Sequence, residues 1–101
     1  MNKLIVEYDP DKGQAFPDNK AKEYVDDIAE TFVNTHIVIG TDLLITLFRC
    51  AVAEKKIKHT EIEFLFKGET IKIDKNGTCN YWPNGFGDVT DNALETLLGW
   101  R

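Results

Sequence analysis

The chain has 101 residues, 43% of them hydrophobic, and a formal net charge of -5. This length predicts a single domain over residues 1–101, with enough apolar residues to fill one core. The acidic balance excludes nucleic acid as an expected partner, because phosphate binding relies on clustered Lys and Arg. The longest apolar stretch, residues 43–48, is too short to cross a bilayer, so we expect a cytoplasmic protein without a membrane partner.

The first two predicted elements are a strand and a helix. Residues 3–8 are mainly apolar and end at Asp9-Pro10, which is typical of a strand followed by a turn. Asp18 can cap a helix, and the apolar residues after it recur at the spacing of an amphipathic helix. These residues are Ala21, Tyr24, Val25, Ile28, Ala29, Phe32 and Val33.

The other side of this helix is acidic. An acidic helix face is commonly a solvated surface, and it can also attract a basic partner protein. Both interpretations stay open for its four carboxylates, which are Glu23, Asp26, Asp27 and Glu30.

A second strand and a second helix follow. Residues 35–40 form a short apolar stretch that suits a buried strand, and Thr41 can cap a helix that runs to about Lys56. This helix is apolar on most of its sides, which predicts that it is the central packing element. Lys55 and Lys56 suit its C-terminal end, where the helix dipole favours cations.

The last third predicts a hairpin and a final helix. Lys67-Gly68 forms the turn, Asn76-Gly77 returns a third strand over 78–81, and residues 91–98 form a helix. The predicted fold is a small mixed α/β (α+β) sheet in the order β-α-β-α-β-β-(β)-α, with two helices packed on it plus the C-terminal helix. The alternation turns one hairpin face inward, made of Ile62, Phe64, Phe66, Ile71 and Ile73.

The sequence contains few signs of catalysis. It has no serine and no Gly-rich phosphate loop, and neither His36 nor His59 has a second ligand at metal spacing. The two cysteines, Cys50 and Cys79, have no spacing typical of a zinc site, and we expect separate thiols. The expectation is a chain that is not an enzyme and carries no cofactor or metal.

One alternative is an acidic site made of Glu7, Asp9 and Asp42. Side chains at the carboxyl ends of parallel strands converge, and carboxylates there can hold Mg²⁺. Such a site would make the chain a Mg²⁺-dependent phosphohydrolase or nuclease. The competing interpretation is structural, with Asp9 bonding turn amides and Asp42 in the first turn of its helix.

Three aromatic residues near the end of the chain are candidate contacts for a partner. Trp82 and Phe86 flank a Pro-Asn-Gly turn, and Trp100 follows the last predicted helix. Aromatic residues with few rotatable bonds make efficient binding anchors, and the same residues can instead fold back to cover the core.

Three segments carry a resemblance to a known family: Leu4–Pro10, Ile37–Leu44 with Arg49 after it, and Ile71–Phe86 with its Trp-Pro-Asn-Gly-Phe sequence. Together they resemble the C-terminal part, from Walker B to the tail, of ABC-type, overcoming-lysogenization-defect-like ATPases of bacterial defence systems. The resemblance implies that Glu7 corresponds to a Walker B acid. The adjacent acidic pair, the switch His and the phosphate-binding half are missing, which implies a stand-alone, degenerate relative and not an ATPase.

These observations together predict a non-catalytic protein that acts by binding another protein. The resemblance implies a phage or defence context, in which the chain would be a regulator or inhibitor of an ATPase or nuclease. A homodimer formed through the edge strand of the hairpin is a further hypothesis.

Overall fold

A computed structural model describes residues 2–81 and residue 83. The predicted helix over 91–98 and the aromatic residues Trp82, Phe86 and Trp100 lie outside the described residues. The described elements are β1 (Leu4–Tyr8), α1 (Asp18–Thr31), β2 (Thr35–Ile39), α2 (Asp42–Ala53), a short 3₁₀ helix (His59–Glu61), β3 (Ile62–Phe66) and β4 (Glu69–Ile71).

The strands form one four-stranded mixed sheet in the order β2-β1-β3-β4. Strand β1 lies between β2 and β3 and runs parallel to both, whereas β4 is antiparallel to β3. Lys67 and Gly68 both have positive φ, at 50° and 80°, which matches the tight turn that joins β3 to β4. The predicted mixed α/β fold is confirmed for the described elements.

One face of this sheet carries the core. Leu4, Val6 and Tyr8 of β1 alternate with the half-buried Ile5 and Glu7, as expected when one face is covered. Both helices contribute to the same cluster of buried residues and contact each other. The predicted inward face of the hairpin is confirmed, since all of its members are buried: Ile62, Phe64, Phe66, Ile71 and Ile73.

Helix α2 is the central packing element, as predicted from its apolar sides. Its cap is also confirmed, because the Thr41 hydroxyl accepts a hydrogen bond from the Leu44 amide at 3.4 Å. The helix buries two polar residues as well, Thr46 and Arg49. No helix in the described part of the chain is long and apolar enough to cross a membrane.

Helix α2 ends at Ala53, three residues before the predicted end. Lys55 takes φ 65° and its amide donates to the Val52 carbonyl at 2.9 Å. The Lys56 amide reaches back to Ala51, also at 2.9 Å. These two bonds form a Schellman motif, which closes a helix with a left-handed residue and satisfies its last carbonyls.

The segment after β4 forms a compact turn that packs on α2. One Asp74 carboxylate oxygen accepts the amides of Asn76 and Thr78, at 2.8 Å and 3.0 Å. The buried Arg49 Nε donates to the Gly77 carbonyl at 2.8 Å. Where a third strand was predicted, over 78–81, the structure has an isolated bridge between Ile73 and Cys79. Backbone hydrogen bonds from Asp74 to Thr78 and from Asn80 to Lys72, at 2.9 Å and 3.0 Å, flank this bridge, so the pairing is shorter than the predicted strand.

Candidate functional site

The three carboxylates of the predicted acidic site point in different directions. Glu7 Oε1 lies 2.9 Å from His36 Nε2, on the sheet face that turns away from the helices. Asp42 accepts a hydrogen bond from the Tyr8 hydroxyl at 3.1 Å, on the helix side. Because Glu7 and Tyr8 are adjacent in one strand, their side chains lie on opposite faces of the sheet.

Asp9 has a structural contact of its own. Its Oδ1 accepts the amides of Asp11 and Lys12, at 3.0 Å and 3.2 Å, which is the turn-forming arrangement. Among the described residues, no group of three or more His, Cys, Asp or Glu side chains could hold a metal ion. Glu7, Asp9 and Asp42 are therefore not brought together into one cation site in this structure.

The N-terminal half of the acidic face on α1 is largely neutralised by lysines. Asp26 forms ion pairs with Lys22 at 3.3 Å and with Lys56 at 3.1 Å, and Glu23 lies 3.6 Å from Lys20. Burial alone would raise the pKa of Asp26, but the two ammonium groups outweigh it and lower that pKa below its usual value. The charges of Glu23 and Asp26 are therefore balanced by lysines of the same chain.

Asp27 and Glu30 differ from those two acids. Both are exposed, and neither forms an ion pair with a cation of the described chain. They lie toward the C-terminal end of α1, where the last turn contains no basic residue. Just beyond them, Val33 is 63% exposed and is one of two large hydrophobic residues described as exposed. We call Asp27, Glu30 and Val33 the α1-end patch.

A cavity of about 440 Å³ that the sequence did not reveal lies beside the end of α2. Its floor contains the buried side chains Val52 and Ile57. No acidic side chain is among the described residues that line it. The exposed lining residues are all basic or polar: Lys55, Lys58, His59, Thr60 and Lys75.

The only sequence signal for this cavity is the basic run at 55–59. That run sits at a helix end, where the dipole already explains lysines. Lys75 belongs to the turn that follows β4, and nothing in the sequence pattern places it near the end of α2. The sequence therefore predicted a helix end near these lysines, three residues too late, and gave no sign of the cavity.

The hairpin edge proposed for a homodimer is partly covered. The Asn80 amide donates to the Lys72 carbonyl at 3.0 Å, and the Lys72 amide donates to the Asn80 side chain at 3.1 Å. A second copy would find this part of the edge occupied. The homodimer stays a prediction.

No protein-family model matches the chain, and neither a curated protein nor a solved structure matches it. The resemblance to the defence ATPases stays a prediction that rests on the three sequence segments. A functional proposal for this chain therefore rests on its own residues.

Proposed function

We propose that this chain is a non-catalytic protein that binds a basic surface of another protein through the α1-end patch. Asp27 and Glu30 steer the partner by charge, and Val33 supplies the apolar contact. The observation that carries the proposal is the pair of unneutralised acids in the C-terminal half of α1, of which Glu30 lies in the last turn, where acids are unfavourable.

Helix energetics give the reason. The C-terminal end of a helix carries partial negative charge, so an acid there costs about 0.3–1 kcal/mol and a Lys or Arg would be stabilising. The acids earlier on α1 are neutralised by lysines, whereas Asp27 and Glu30 have no such partner in the described chain. Helix stability does not account for the acid at Glu30, and a role in binding does.

Val33 supports the same surface. It is a β-branched residue in the short link between α1 and β2, three residues after Glu30, and it is mostly exposed. Interfaces combine an apolar centre with a charged rim that sets the rate of association. The α1-end patch has this composition on a small scale.

The charge of the patch suggests the class of partner. Proteins that handle nucleic acid carry clustered Lys and Arg to neutralise phosphates. An acidic patch on a small protein can compete for such a surface. A regulator or inhibitor of a nuclease or of a nucleic-acid-dependent ATPase, in a phage or defence setting, is the form of the proposal that fits the sequence resemblance.

The test is photo-crosslinking in an extract of the native host. A crosslinking amino acid replaces Val33 in one variant and the exposed Thr70 of β4 in the control. We expect a discrete crosslinked protein at position 33 that is absent at position 70 and weakens as salt rises above about 0.15 M. The same species at both positions would contradict the proposal.

Charge reversal completes the test. Asp27→Lys with Glu30→Lys should abolish the crosslink, while Glu23→Lys on the same helix should leave it. The double variant should be as stable as the parent or more stable by about 0.3–1 kcal/mol, because it places a cation at position 30 in the last turn of the helix. Loss of the crosslink would then not be due to unfolding, and an undiminished crosslink would refute the role of the two acids.

A further inference from the structure

The lysines around the cavity beside α2 have no carboxylate partner among the described residues. Five described lysines form ion pairs, and Lys67 lies over the Phe66 ring at 5.2 Å. The described lysines without such a contact are Lys12, Lys55, Lys58 and Lys75. Three of these four line the cavity.

Fold stability does not explain this clustering. The dipole of α2 favours Lys55 at its end, but Lys58 lies beyond the helix and Lys75 comes from the separate turn over 74–78. Like charges that converge without a counter-charge repel one another. The chain has a net charge of -5, yet no carboxylate is among the described residues that line this cavity.

The backbone of Lys55 adds a second, independent observation. Its φ of 65° is the left-handed conformation that closes α2, a position where glycine is strongly preferred because it has no Cβ. Keeping a lysine there costs conformational energy. That cost is understandable if the ammonium group is needed at the cavity.

We propose that this cavity binds a small organic phosphate. The phosphate group lies among Lys55, Lys58 and Lys75, and the apolar part of the ligand rests on Val52 and Ile57. Lysine is a common phosphate ligand as a mobile point charge, and the Thr60 hydroxyl can donate a hydrogen bond. A volume of about 440 Å³ falls in the range of sites for small molecules. This site is separate from the protein-binding proposal and does not depend on it.

Phenyl phosphate is the probe, because it combines one phosphate with one apolar ring. The full chain is titrated with phenyl phosphate, inorganic phosphate and phenol at constant ionic strength, and the methyl resonances of Val52 and Ile57 are followed by NMR. Phenyl phosphate should shift both sets of methyl resonances and bind about tenfold more tightly than inorganic phosphate, because burial of the ring adds to the charge contacts. Phenol should not bind.

One double variant and a control outside the cavity test the lysines. Lys58→Gln with Lys75→Gln should weaken phenyl phosphate about tenfold, roughly threefold for each lost cation. Lys12→Gln removes one charge from an unpaired lysine outside the cavity and should change nothing. Equal weakening by Lys12→Gln would show a general charge effect and overturn the site.

Lys55→Gly separates binding from folding. It should weaken phenyl phosphate about threefold while raising the melting temperature, because glycine takes the left-handed conformation without strain. Unchanged affinity in this variant would remove Lys55 from the site. Methyl resonances that do not move at millimolar phenyl phosphate, or that move equally with phenol, would overturn the proposal.

Discussion

Substitution of Gly77 by alanine probes the contact between the turn over 74–78 and α2. Gly77 is buried with φ 83°, and a Cβ at this position would lie 2.4 Å from the Arg49 carbonyl oxygen. No Cβ tolerates that distance, and the obstacle is backbone rather than a flexible side chain. The turn would have to move away from α2, and the hydrogen bond from Arg49 to the Gly77 carbonyl would lengthen.

The expected loss of stability has three sources. An alanine in the left-handed region costs about 1 kcal/mol. Overpacking of a close contact costs about 1–3 kcal/mol, and weakening a buried hydrogen bond from a charged donor adds part of about 1.5–3 kcal/mol. We expect Gly77→Ala to lower the free energy of unfolding by about 3–4 kcal/mol, a large share of the roughly 5–15 kcal/mol of a typical domain.

Urea denaturation measures this loss, and Gly68→Ala is the matched control. Gly68 has nearly the same φ, 80°, but a Cβ there meets nothing within 4 Å. Its substitution should therefore cost only the conformational part, about 1 kcal/mol. With a urea dependence of about 1.5 kcal/mol per molar, the midpoints should fall by about 2 M for Gly77→Ala and 0.7 M for Gly68→Ala. Equal losses in the two variants would refute the steric reasoning.

Two further predictions concern ionisation and buried polarity. Burial alone would raise the pKa of Glu63, but Lys72 and Lys3, at 3.0 Å and 3.3 Å, outweigh it and lower that pKa. A carboxyl group with a lowered folded pKa stabilises the fold above its unfolded pKa and loses that contribution as pH falls through the folded pKa. The unfolding free energy of the parent should therefore fall more steeply between about pH 5 and pH 3 than that of Glu63→Gln, and parallel curves would contradict this. Separately, the Thr46 hydroxyl is buried and has no hydrogen-bond partner among the described residues, so Thr46→Val should raise the unfolding free energy by about 1 kcal/mol, and a less stable variant in thermal melts would show that the hydroxyl is satisfied.

The periodic parts of the fold could be predicted from the sequence because burial imposes a period. The three-and-four spacing after Asp18 predicted α1, and the alternation around Phe64 predicted which face of the hairpin is buried. Thr41 predicted the start of α2, since its hydroxyl has a local partner three residues away. In each case the signal lies in a short repeat or in a partner a few residues away.

Three features were not predicted. The end of α2 lies at Ala53 and not at Lys56, because Lys55 takes a conformation that sequence preference assigns to glycine. The acids of α1 were predicted as one face, yet Asp26 forms an ion pair with Lys56, which comes from beyond the end of α2. The cavity forms because Lys75 lies near the end of α2, and no sequence spacing predicts that proximity.

The position of β1 in the sheet has a consequence for how the chain reaches its fold. Both neighbours of β1 arrive across intervening helices, β2 after α1 and β3 after α2, while only β3 and β4 can pair locally. Sheets with such long-range pairing close slowly. A nascent or proteolysed product that stops before β3 leaves one side of its innermost strand open, which is the arrangement through which chains associate edge to edge.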